Sequence, residues 1–214
     1  MLLAVVVIDI AMAVIGVARC PAFFSQNGAR TFVLEPVLAL LVYAGALFLL
    51  RKTCHLFFRG AILFGVITGI IEVINVGLEN GIPLALRGPF IPIGFMLTIF
   101  TLWGIAAFRI TRALKSARAG TIVAVSSAGI CMLIAVTAGF IVQFFVSPPE
   151  PTLVSSWAEF KRSGWTDARA FAVANTLESA FTHLVIAPVI ALFWGGLGSL
   201  LAQLRLSRAA PASR

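Results

Sequence analysis

Apolar residues run through this chain in six long blocks, separated by short clusters of charged and turn-forming residues. The blocks cover roughly residues 1–18, 31–50, 60–79, 89–108, 121–146 and 170–200. Blocks of about 18 or more apolar residues match the thickness of a bilayer core crossed by an α-helix. The pattern predicts an all-α, polytopic integral membrane protein: a single domain over 1–214 built as a bundle of six transmembrane helices. In the last block Pro188 predicts a kink. The loop 147–169 opens Pro-rich and carries Trp157, Phe160 and Trp165, which predicts a short helix lying at the membrane interface. Ser156 and Glu159 have the spacing of a capping box for that helix.

Charge turns the six blocks into a topology. The turns after the second and fourth blocks and the C-terminal tail hold ten Lys/Arg and no Asp or Glu. The other side holds Arg19, Arg30, Arg87, Lys161, Arg162 and Arg169, offset by Glu150, Glu159 and Asp167. The positive-inside rule then places both termini in the cytoplasm. The first block lacks a basic leader, and Arg19 before Cys20 makes a poor lipoprotein cleavage site. It is therefore expected to stay as the first helix. The expected location is a cell membrane, and among these a bacterial inner membrane.

Composition agrees with the pattern and removes some alternatives. The chain has 214 residues, 60% hydrophobic and 11% charged, with a mean hydropathy of +1.05. Soluble domains carry about 25% charged residues. The net charge of +8 sits in the turns between spans, so it argues for topology and against a nucleic-acid partner. Cys20, Cys54 and Cys131 are odd in number and widely spaced, which suits neither a disulfide framework nor a zinc knuckle. All three Lys lie between spans, so no retinal Schiff base can form inside the bundle. His55 and His183 lie at different depths, against paired haem ligation. No nucleotide-binding, GxSxG, HExxH or CxxC motif occurs. The residues imply no cofactor, and an enzymatic role is not indicated.

Candidate chemistry lies in the polar residues that the spans retain. On the third block Ala61, Gly65 and Gly69 form a small-residue stripe suited to close helix packing, and Glu72 and Asn75 continue it. On the sixth block Asn175 and Glu178 follow Ala170 and Ala174. At 1.5 Å per residue, Glu72 is about 20 Å from the inner edge and Glu178 about 13 Å from the outer edge of a core about 30 Å thick. The two carboxyls thus share a depth, and contact between the two helices is expected to build a layer of two amides above two carboxyls. His183 lies about 7 Å deeper, with Asp9 of the first block near that level. No Lys or Arg lies inside a span. These acids must therefore be protonated, share a proton, bind a cation or face water. Glu72 and Glu178, with Asn75, Asn175, His183 and Asp9, are the candidate ligand- or proton-binding set. His183 alone falls short of the three or four ligands that zinc takes.

The function expected is a small proton- or cation-coupled carrier, or a membrane solute-binding protein, using an intramembrane carboxylate pair. Its partners are then the bilayer and a small solute, proton or monovalent cation. One alternative is a non-catalytic membrane subunit that binds or regulates a partner. Another is an intramembrane enzyme acting on a lipid. Three-helix halves of opposite orientation are permitted by the topology, as in inverted-repeat transporters.

Overall fold

Inside a bilayer every backbone N–H and C=O must be satisfied within the protein, so long apolar runs fold as helices. The computed structural model describes residues 2–50, 55–81, 88 and 90–209, and the described residues are almost wholly helical. Arg51, Lys52, Cys54, Pro83, Arg87, Pro89 and Arg214 fall outside them. Helix α1 is Leu2–Ala18, α2 Ala29–Leu50, α3 His55–Gly81, α4 Phe90–Leu114 and α5 Ala117–Ile141. A π-helical turn, Val142–Val146, extends α5. Two short helices follow, α6 Pro151–Ser156 and α7 Ala158–Ser163, then α8 Ala168–Ala209. Five of these helices, α2 to α5 and α8, are long and apolar enough to cross a membrane. At 17 residues, α1 spans about 25 Å, slightly less than the core. The chain is an all-α, multi-pass membrane protein.

Several helices outrun their apolar blocks. α3 takes in Arg59, and α4 takes in Arg109 and Arg112. Lys115, with a φ of 51°, makes the turn between α4 and α5. α8 has 42 residues, about 63 Å and twice the core thickness. Alanine, arginine and lysine propagate a helix well, so a charge at the edge of the hydrocarbon need not end the helix. Pro188 lies inside α8, and Pro36 lies inside α2 beyond its first turn.

The residues group into two compact units, Met1–Leu47 with Val136–Val185, and Phe48–Ala135 with Ile186–Arg214. Neither is a continuous three-helix half. In the first unit the outer loop is built differently from the expected single interfacial helix. Ser156 ends α6, its hydroxyl donating to the Leu153 carbonyl, and Trp157 is the N-cap of α7, so the capping box does not form. Glu159 instead meets Arg162 at 3.6 Å. Trp165 is buried, with edge-on contacts to Phe23, Phe32 and Phe171 at 5.9, 5.6 and 5.9 Å between centroids. Such contacts stabilise beyond plain burial. Thr166 N–H donates to Gln26 Oε1 at 2.9 Å, and Tyr43 O–H donates to the Leu184 carbonyl at 2.7 Å.

In the second unit the packing stripe of α3 meets α5. A Cβ on Gly65 would lie 2.6 Å from Ile130 Cβ and 2.9 Å from the Ser127 carbonyl, and one on Gly69 2.8 Å from Ile134 Cδ1. Gly198 of α8 lies directly on the Gly104 backbone of α4. Buried hydroxyls are partnered: Trp103 Nε1–H donates to Thr68 Oγ1 at 3.3 Å, and Thr68 donates to the Phe64 carbonyl at 2.8 Å. Ser199 Oγ lies 3.1 Å from Thr111 Oγ1 and 3.3 Å from Thr121 Oγ1. Large apolar side chains such as Leu49, Val42 and Phe193 point outward, as a lipid-facing surface requires.

Candidate functional site

Asp9 is the most deeply placed acid of the expected set. It stands midway along α1, fully buried. Residues 9, 13 and 16 share one face of α1, and the two beyond Asp9 are small, Ala13 and Gly16. That face meets the outer part of α5 within the first unit. Thr137 Oγ1 donates to Asp9 Oδ1 at 2.6 Å. Seven residues further along each helix, Gly16 lies under the Phe144 ring, where a Cβ would fall 2.6 Å from Phe144 Cε2. Equal spacing on both helices means that they run side by side in the same direction, as the topology requires. Phe140 and Phe144 stack at 5.2 Å between centroids and cover the two turns of α5 above Thr137.

Among the described residues, the second carboxyl oxygen of Asp9 has no hydrogen-bond partner. A buried polar atom without a partner costs about 1–3 kcal/mol, and a buried ionised carboxylate far more. One hydroxyl donor offsets only part of that. Such a group can hold a proton on its open oxygen, or present that oxygen to a cation.

The other expected residues are distributed differently. Glu72 is half-buried, and Asn75, one turn further along α3, is buried, with its Oδ1 lacking a partner among the described residues. Asn175, Glu178 and His183 all lie on α8 and are exposed. Glu72 and Asn75 belong to the second unit, and Asn175, Glu178 and His183 to the first. The small-residue stripe leading to Glu72 is filled by Ile130 and Ile134 of α5. His183 Nδ1 lies 2.7 Å from the Ser179 carbonyl. A carbonyl accepts only, so Nδ1 carries the hydrogen and Nε2 faces outward. Among the described residues, no three His, Cys, Asp or Glu side chains group as metal ligands.

Thr137 is the site residue that sequence reasoning missed. A lone threonine in an apolar run reads as neutral, because its hydroxyl can bond its own helix. The usable signal was shared spacing: a polar residue followed seven positions later by a small residue on α1 and a large one on α5. Comparison with protein-family models, curated proteins and solved structures gives no match.

Proposed function

We propose that this chain is a small proton- or cation-coupled carrier, or a membrane solute-binding protein, in which Asp9 is the carboxyl that holds the ion. One observation carries the reading: a fully buried acid that, among the described residues, has a single hydroxyl donor and one open oxygen. An acid kept in such a place is more often functional than structural. Glu72 with Asn75 is the second intramembrane polar pair and the next group in line for proton or cation exchange. The proposed setting is a bacterial inner membrane, whose ion gradient would drive solute movement.

The test is thermal unfolding of the purified protein in detergent, scanned across pH and a panel of monovalent cations. A ligand at a hundred times its dissociation constant adds about 2.7 kcal/mol. Wild type is expected to gain stability with one cation or to vary with pH, and Asp9→Asn to lose that response. Glu72→Gln and Glu178→Gln, measured alongside, test the other two acids. An unchanged response in Asp9→Asn rejects the assignment.

A second reading, a membrane subunit that binds a partner, is favoured by the face of α8. Asn175, Glu178, Ser179, Thr182 and His183 are all exposed and form one polar stripe at helical spacing. Polar groups on a membrane helix are costly against lipid and favourable against another helix. Crosslinking of a Glu178→Cys variant in native membranes separates the cases: a discrete crosslinked species supports the partner, and labelling by lipid-soluble reagents alone opposes it.

A further inference from the structure

The first unit also holds an open cavity of about 630 Å³, where α1, the π turn and the start of α8 come together. Its volume is in the range that holds small organic ligands. Arg19 lines it from the end of α1 and Arg169 from the first turn of α8, with Gln143 and Phe144 from the π turn and Thr176 deeper along α8. Glu150 is the one carboxylate in the lining. Cys20 lines it as a neutral thiol, pushed above its usual pKa by burial and by the nearby Asp167 charge.

Three features suit this cavity to an anion. Two guanidiniums line it against one carboxylate, with the Asp167 charge close by, and the planar guanidinium fork matches a carboxylate in geometry. Arg19 is held in place: Nη1 donates to the Phe144 carbonyl at 3.0 Å, and Cζ lies 4.9 Å above the Phe145 ring. Its other N–H groups remain for a ligand. Arg169 is exposed and, among the described residues, makes no ion pair. Asp167, the nearest acid in sequence, is engaged in capping α8, where it accepts from Ala170 N–H at 2.8 Å.

The π turn ends α5 beside the cavity. Ser147 N–H reaches back five residues to the Val142 carbonyl at 2.8 Å. Gln143 and Phe144 of this turn line the cavity, and the Phe144 carbonyl, one of the last four of the helix, accepts from Arg19.

We propose that this cavity binds a small soluble organic carboxylate. Arg19 and Arg169 hold the carboxylate by charge-assisted N–H···O bonds, which guanidinium makes in pairs. Gln143 and Thr176 serve its further polar groups, and the Phe144 ring supplies an apolar wall. The inference concerns equilibrium binding and does not need a proton on Asp9. Carboxylate binding is therefore expected to be the same in Asp9→Asn, and the pH or cation response of that variant tests the ion-binding reading separately.

Thermal unfolding in a neutral detergent tests it, with ionic strength held by chloride. Lactate, pyruvate, succinate and benzoate form one arm, inorganic phosphate a second and short-chain phosphatidylglycerol a third. At least one carboxylate is expected to raise the wild-type midpoint. Arg169→Gln is expected to keep the ligand-free midpoint, because the side chain is exposed and unpaired, and to need at least about tenfold more carboxylate for the same shift. Arg169→Lys is expected to fall between. Arg162→Gln, outside the cavity, serves as the control and should respond as wild type does. The proposal is overturned if no carboxylate shifts wild type, if Arg169→Gln responds as Arg162→Gln does, or if only phosphate or phosphatidylglycerol stabilises.

Discussion

Helix α5 meets two different neighbours with its two halves. Its first half, through Ser127, Ile130 and Ile134, closes on the glycines of α3. Its second half, through Thr137 and Phe144, closes on Asp9 and Gly16 of α1. In both seams a glycine admits a large side chain, so close packing is common to them. They differ in what lies beside the glycine. At Gly65 and Gly69 the α3 seam joins shape to shape, and its nearby Thr68 is satisfied within its own helix and by Trp103, with half-buried Glu72 and buried Asn75 following further along α3. The α1 seam encloses an acid with an open oxygen. Close packing costs nothing in polar terms, whereas the acid is a standing expense. That difference separates scaffold from candidate machinery.

The largest effect should come from filling the scaffold seam. Gly65→Val places side-chain atoms where Ile130 and the Ser127 backbone already sit, and backbone cannot give way cheaply. A loss of about 1–3 kcal/mol is expected, read as a lowered unfolding midpoint in detergent. A midpoint equal to wild type would mean that α3 and α5 do not approach as described.

Next comes the polar seam. Thr137→Val keeps the shape of the side chain and removes the donor to Asp9, for an expected loss of about 1–3 kcal/mol. Adding Asp9→Leu should restore much of the stability, because replacing both partners of a buried polar pair is often nearly neutral. Stability regained together with loss of the pH or cation response would sharpen the contrast between the two seams. A double variant weaker than either single one would make the pair structural.

Smaller effects should follow elsewhere. Ser199→Ala removes the oxygen between Thr111 and Thr121 and is expected to cost about 0.5–1.5 kcal/mol, measured by denaturant titration. Glu178→Gln changes an exposed group and should stay within about 0.5 kcal/mol of wild type in detergent. A large loss there would show that Glu178 is buried against another chain under the conditions used.

The helices were legible because lipid leaves the backbone few choices. Apolar length alone marked α2 to α5 and α8, and the charges between them marked the turns. Helix ends were less legible. Arg59, Arg109 and Arg112 signal the edge of the hydrocarbon, yet a helix can carry arginine through that edge, as α3 and α4 do. The capping box failed because α6 runs through Ser156 and the next helix has Trp157 as its N-cap, one residue later than the Ser156–Glu159 spacing requires. The candidate site was half legible. Asp9 stood out as an acid in an apolar run and was placed deeper than Glu72 and Glu178, but its burial within the protein could not be read, since burial depends on which helix covers which face. The stripe of α3 announced a close neighbour without naming it, and α5 fills it. Arg19 and Arg169 were visible only as topology charges, because a cavity is made by tertiary packing and leaves no local pattern.

The central claim is that Asp9 is the ion-holding carboxyl. Infrared difference spectroscopy across a pH jump, on the protein in lipid, tests it most directly. The account predicts a carboxylic-acid carbonyl band that changes with pH in wild type, shifts frequency in Thr137→Val as its hydrogen bond is lost, and is missing from Asp9→Asn. Identical difference spectra from wild type and Asp9→Asn would contradict it and leave Asp9 a structural residue of the α1 seam.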